Sequence, residues 1–157
     1  MSKTVEKLVC RQLVSFLEEN DLLPSLQSAY KKNHSTETAV LKVVSDILRA
    51  SDRGDVTLLC LLDMSAAFDT VDHDLLIHRL STAFGLQGKV LSWIESFIHH
   101  RSQTVSFGEE LSAESNVVCG VPQGSVLGSI LFLLYTADVI TIANHHGIKT
   151  HSYADDT

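Results

Sequence analysis

The chain has 157 residues and a formal net charge of −7, with 12 lysines and arginines against 19 aspartates and glutamates. Hydrophobic residues make up 45% of it and charged residues 20%, with 2 prolines and 8 glycines, which is the composition of a folded domain with an apolar core and excludes a solvated tail, a linker or a fibrous repeat. The acidic balance argues against tight nucleic-acid binding by this chain alone, because such affinity rests on lysines and arginines that neutralise phosphates.

Val5, Leu8, Val9, Leu13, Phe16 and Leu17 recur at three and four residues and predict an opening helix, ended by Asn20-Asp21 and Pro24. Ala39, Val40, Val43, Val44, Ile47 and Leu48 repeat the pattern, with Ser35 or Thr36 as N-cap, Glu37 in the first turn and Gly54-Asp55 closing the helix. The run Val56 to Met64, VTLLCLLDM, is apolar and partly β-branched between turn signals, which predicts a central strand buried on both faces. Asp63 at its C-terminal end is conspicuous in that setting. Asp72 caps a predicted third helix carrying Leu75, Leu76, Arg79, Leu80 and Ala83, with Gly85 as its stop. A fourth spans about Lys89 to His99, with Val90, Leu91, Ile94, Phe97 and Ile98 inward.

The period then changes to two. Gln103, Val105 and Phe107 alternate with Thr104 and Ser106, Gly108 to Ser115 turns the chain, and Asn116 to Cys119 returns, which predicts a hairpin. Gly120-Val121-Pro122-Gln123-Gly124 reads as a loop that introduces an apolar helix from Ser125 to about Ile140. Its longest apolar stretch, Val126 to Tyr135, is about half of the ~20 residues a membrane span needs, so it reads as a buried core helix. Ile148 to Ala154 has strand character and runs into Asp155-Asp156-Thr157. The organisation is mixed α and β in one unit.

Cys10, Cys60 and Cys119 form no CxxC pair and read as buried free thiols of a reducing compartment. The first residues hold no apolar signal segment, so secretion is not expected. His99-His100 and His145-His146 fall at predicted helix ends and read as solvated or capping residues rather than metal ligands. Asp69 reads as a turn residue.

The acidic residues raise a sharper possibility. If the strands ending at Asp63 and at Asp155-Asp156 pair in one sheet, three carboxylates meet at its edge. Hard divalent cations such as Mg²⁺ take oxygen ligands, and two ions about 3.5 to 4 Å apart can clamp the attacking and leaving oxygens of an in-line phosphoryl displacement. Side chains alternate faces along a strand, so Asp155 and Asp156 cannot both face Asp63 unless a turn redirects one, which makes one a strong ligand and the other a subordinate one. Taken singly, Asp63 is more simply a turn or cap residue and the Asp pair a solvated turn.

Three strings change that balance. Leu61-Leu62-Asp63-Met64-Ser65-Ala66-Ala67-Phe68-Asp69, then Gly120-Val121-Pro122-Gln123-Gly124-Ser125, then Tyr153-Ala154-Asp155-Asp156 resemble, in that order, the three palm motifs of reverse transcriptases. Gln27-Ser28-Ala29-Tyr30 and His34-Ser35-Thr36-Glu37-Thr38 are similar to the non-LTR (LINE-type) retrotransposon branch, and the resemblance covers nearly the whole chain. Each motif is weak alone; three in order are specific.

The resemblance implies an α+β fold that is part of a polymerase right hand: fingers-side helices over residues 1–55, and over 56–157 a palm sheet with packed helices ending at the catalytic turn, with the thumb and the basic finger strands outside this sequence. It implies RNA-directed DNA synthesis by two-metal nucleotidyl transfer, with Asp63, Asp155 and Asp156 as catalytic, metal-binding residues and two Mg²⁺ or Mn²⁺ ions. Phe68 matches the aromatic beneath the incoming sugar, where its ring would clash with a 2′-hydroxyl. Gln123 and Gly124 match the loop that approaches nucleotide and template, and Tyr153 would pack near the primer end. RNA template, DNA primer and deoxynucleotide are the implied partners, with no membrane, in the cytoplasm and nucleus. A noncatalytic, decayed palm fragment is the alternative. A carboxylate-based metal phosphohydrolase explains the aspartates but not Phe68 or Pro122-Gln123-Gly124.

Overall fold

Five helices and two small antiparallel ladders form over the residues that the computed structural model describes, 3–23, 27–29 and 34–154. The core is built on the last helix, α5 (Val126–His145), against which α1 (Lys3–Glu19) and α3 (His73–Thr82) pack, while α4 (Gly88–Ile98) packs on α3. Leu13 and Leu17 of α1, Leu76 and Leu80 of α3, Ile94 and Ile98 of α4, and Leu127, Leu131 and Leu134 of α5 all lie within this single cluster. α5 is long and apolar enough to cross a membrane by length and composition. Eight of its residues are buried in the core, so its apolar character is accounted for by packing between α1 and α3.

The start of α5 is fixed twice. Ser125 caps it, its hydroxyl accepting from the Gly128 amide at 2.9 Å. Glu6, 6% exposed on the buried face of α1, accepts from the Val126 amide at 2.9 Å, placing a carboxylate at the positive end of the helix dipole. Glu6→Ala leaves that amide without its partner and is expected to cost about 1–3 kcal/mol in urea unfolding, with Glu6→Gln losing less because it keeps an acceptor. Equal midpoints for wild type and Glu6→Ala would show that the contact contributes nothing. Farther along, Arg79 of α3 lies over the Tyr135 ring at 5.1 Å, donates to the Tyr135 carbonyl and pairs with Asp138 at 3.1 Å, joining α3 to the middle of α5.

The helices form where the apolar spacing places them. Ser35 caps α2 (Thr36–Asp52) in a reciprocal capping box with Thr38, and Asp72 caps α3 by accepting from the Leu75 amide at 2.8 Å. The hairpin also forms, from β1 (Arg101–Gln103) and β4 (Ser115–Val117), with β2 (Ser106–Phe107) and β3 (Glu110–Leu111) paired at its tip. Gly108 and Glu109 make the turn, a tighter reversal than the eight-residue span expected, with Gly108 supplying a φ of +62°. Val90, expected inward, is 50% exposed because it lines an open groove of about 500 Å³ between α1 and α4, with Leu13, Phe16 and Trp93.

Several expectations are corrected. No strand forms over Val56 to Met64; only Asp63 takes a lone β-bridge, and Val56, Leu58 and Leu61 are 99%, 94% and 80% exposed. A strand buried on both faces needs a neighbour on each side and helices over it. Among the described residues neither ladder lies beside this run. For the same reason α2 buries none of its residues, although its apolar stripe is as expected. Ile148 to Ala154 forms no strand either: its fixed point is a parallel bridge from Ser152 to Gln27. The three cysteines are free, but only Cys10 is half-buried, and burial pushes its thiol pKa up; Cys60 and Cys119 are exposed, Cys60 because the strand around it does not form.

Candidate active site

The loop after Asp63 and the loop before α5 are held together along their backbones. The Val121 amide donates to the Phe68 carbonyl at 2.8 Å and the Gly120 amide to the Val71 carbonyl at 2.7 Å, while Asp72 and Cys119 form an antiparallel bridge. Gly120 has a φ of +90°, and a Cβ there would lie 3.0 Å from the Asp69 backbone, so both the dihedral and the close approach call for glycine. His73, 6% exposed, donates through Nε2 to the Gly120 carbonyl at 2.7 Å and holds the far side of the same crossing. Two segments more than 45 residues apart in sequence thus form one rigid junction.

The side chains expected to meet the nucleotide flank this junction. Phe68 is half-buried and stacks on Phe132 of α5, with ring centroids 4.8 Å apart and planes inclined by 28°. One face of its ring is therefore supported by the core. Gln123 is exposed, and its amide nitrogen donates to both oxygens of Asp69, at 3.0 and 3.1 Å. Gly124 takes a φ of +75° and faces open space, so its backbone can be approached closely. Beside Gln123 opens a polar recess of about 580 Å³ lined by Asp69, Arg101, Ser102, Asn116 and Pro122.

The acidic residues are placed less completely. Asp63 is exposed and, among the described residues, its carboxylate has no partner. Tyr153 is half-buried in a lone β-bridge, and Ala154 turns the chain with a φ of +57°, immediately before Asp155 and Asp156, which lie outside the described residues. Among the described residues no three carboxylate, imidazole or thiol groups converge on a metal position. The donor chemistry of Asp63, a free carboxylate, suits a hard divalent cation. His145 and His146 are exposed at the end of α5, as expected. His99 is the C-cap of α4, its amide donating to the Glu95 carbonyl at 2.9 Å, but its ring is not solvated: Nε2 is buried without a hydrogen bond, 3.9 Å from Asp74, and the ring lies against His73 at 5.1 Å.

The segment that leads to Tyr153 is tied down from two sides. Gln27 donates to the Ser152 hydroxyl at 3.1 Å and the Ser28 amide to the Ser152 carbonyl at 2.9 Å. His151 contacts Asp46 of α2 at 3.1 Å, and Asp46 also receives the Lys42 ammonium at 2.6 Å. The hydrogen bond from Lys42 above all, with help from His151 and Lys149, holds the Asp46 carboxyl below its ordinary range against a smaller opposing effect of desolvation. A lowered folded pKa means that this tether is fully present above the ordinary Asp value of about 3.9 and is lost as pH falls through the lowered one. The Asp46 carboxyl carbon is therefore expected to titrate below the ordinary value by NMR, and Lys42→Met to bring the midpoint back up; an ordinary midpoint in the wild type would contradict the contact.

Sequence comparison agrees with the family that the motifs resemble. The profile of the family described as reverse transcriptase (RNA-dependent DNA polymerase) matches residues 1–157. The chain belongs to the reverse transcriptase family. It is 34% identical over 88% of its length to a probable RNA-directed DNA polymerase from transposon X-element of Drosophila melanogaster. It is also 31% identical over 99% to the one from transposon BS and 28% over its whole length to the RNA-directed DNA polymerase from mobile element jockey, both of the same organism. It is thus a reverse transcriptase domain of the non-LTR retrotransposon type. The chain spans 15 to 18% of the length of these relatives.

Within this reverse transcriptase domain, reasoning from sequence missed two residues that hold the site, Asp69 and His73, and one that holds the start of α5 behind it, Glu6. Glu6 left a signal, since it falls in register with Cys10, Leu13 and Leu17 on the buried stripe of α1, where a carboxylate requires a partner. Asp69 and His73 left none, because their partners are 54 and 47 residues away.

Proposed function

We propose that this chain is the nucleotide-selecting and metal-binding part of an RNA-directed DNA polymerase that copies an RNA template onto a DNA primer. The observation that carries the reading is the junction of the two loops that carry Phe68 and Gln123, the first backed by Phe132 and the second held by Asp69. Phe68 would bar a 2′-hydroxyl, Gln123 and Gly124 would meet the nucleotide and template, and Tyr153 would pack near the primer end. Asp63, Asp155 and Asp156 would hold two Mg²⁺ or Mn²⁺ ions, which supply charge stabilisation for phosphoryl transfer when bound. In this reading residues 1–55 stand on the fingers side and 56–157 in the palm. The three carboxylates would set the geometry of the displacement, and the polypeptide's main task is positioning, since such reactions need little covalent chemistry from the protein.

One observation favours a noncatalytic state for the 157 residues taken alone. The run that leads into Asp63 is exposed along Val56, Leu58 and Leu61, so among the described residues no packed sheet holds that carboxylate in register. The tests therefore use the full polypeptide that carries this chain. In it, Phe68→Ala is expected to reduce the preference for deoxynucleotides over ribonucleotides in single-nucleotide addition by about tenfold or more, because removing the ring removes the clash. An unchanged ratio would overturn the role given to Phe68.

A further inference from the structure

We propose that Asp69 is a positioning residue that fixes which end of the Gln123 amide faces the nucleotide, so that Gln123 acts as a hydrogen-bond acceptor; the inference rests on the reading of the site above. A glutamine amide has two ends of nearly equal shape and opposite polarity, and free in water it presents either. A carboxylate has acceptors only. Facing Asp69, the amide can turn only its nitrogen inward, and it does so at 3.0 and 3.1 Å to the two oxygens. The carbonyl oxygen Oε1 is then left for a ligand, and among the described residues it has no protein partner.

Asp69 is itself well placed to impose this. It follows Phe68, whose carbonyl accepts from Val121, and its backbone lies against Gly120 so closely that a Cβ there would meet it at 3.0 Å. The carboxylate is thus carried on the same rigid crossing that carries Gln123. The consequence concerns the substrate. With its oxygen turned outward, the amide recruits a donor at that end, a sugar hydroxyl or a base N–H, and Oε1 gives no attraction to the triphosphate, whose oxygens are acceptors. Gln123 therefore reads the nucleoside half of the incoming nucleotide.

The test is a double-mutant cycle in the full polypeptide, measuring single-nucleotide addition on an RNA template with Asp69→Asn, Gln123→Ala and the pair. Asp69→Asn is nearly isosteric, and its amide can accept from or donate to Gln123, so the fixed polarity is lost. The expected result is a rise of about fivefold in KM for the nucleotide with kcat within about twofold and an unchanged thermal midpoint. In the Gln123→Ala background, Asp69→Asn should have no further effect. Effects that multiply in the double variant, or a change in kcat with KM unchanged, would overturn the proposal while leaving the polymerase reading intact. Absence of templated addition by the wild type would overturn that reading and this proposal with it.

Discussion

Asp63→Asn in the full polypeptide is expected to lower templated nucleotide addition by about 10²- to 10³-fold, the scale on which one preorganised charge-stabilising group contributes to catalysis. The substitution changes charge and almost nothing else. Asp63 is exposed, and among the described residues its side chain has no hydrogen-bond or ion-pair partner, so no packing is disturbed. The unfolding midpoint should therefore stay where it is, and the loss should appear in kcat rather than in nucleotide KM, as the role proposed for Asp63 at the reacting phosphate requires. Added Mn²⁺ should recover part of the loss if the carboxylate serves as a metal ligand. Addition within about twofold of the wild type would remove Asp63 from the mechanism.

Phe132→Ala acts on the opposite link, from packing to site. Phe132 is 1% exposed in the N-terminal half of α5 and touches both the core and the Phe68 ring. Truncating a buried aromatic costs about 3–5 kcal/mol, against a total stability of about 5–15 kcal/mol for a domain. The variant should unfold at markedly lower urea concentration. Where it remains folded, Phe68 loses the ring beneath it, so discrimination against ribonucleotides should weaken as well, in the direction of Phe68→Ala. A shift of less than about 1 kcal/mol would mean that Phe132 does not form the floor of the site.

What the sequence made legible was whatever its local chemistry determines. Helical spacing, the Ser35 and Asp72 caps and the apolar stretch of α5 are properties of short windows, and each appears where expected. The strand over Val56 to Met64 was not legible in the same way. Its apolar run states a need for neighbours, and the described residues do not provide them, so the pattern is present without the burial. The three motifs indicated the family but not the wiring between them. That Gly120 crosses against Asp69, that His73 holds the Gly120 carbonyl and that Asp69 faces Gln123 are long-range facts with no local mark in either segment. The charge of −7, which counted against nucleic acid at first, includes Asp63, Asp155 and Asp156, the three carboxylates proposed to serve metal ions.

The most direct test of the polymerase reading is primer extension by the full polypeptide on a homopolymer RNA template with a complementary DNA primer, Mg²⁺ or Mn²⁺, and one labelled deoxynucleotide at a time. The expected result is addition of the complementary nucleotide only, dependent on the metal ion and abolished by Asp155→Ala. Addition that is independent of template sequence, or equal incorporation by the wild type and Asp155→Ala, would contradict it.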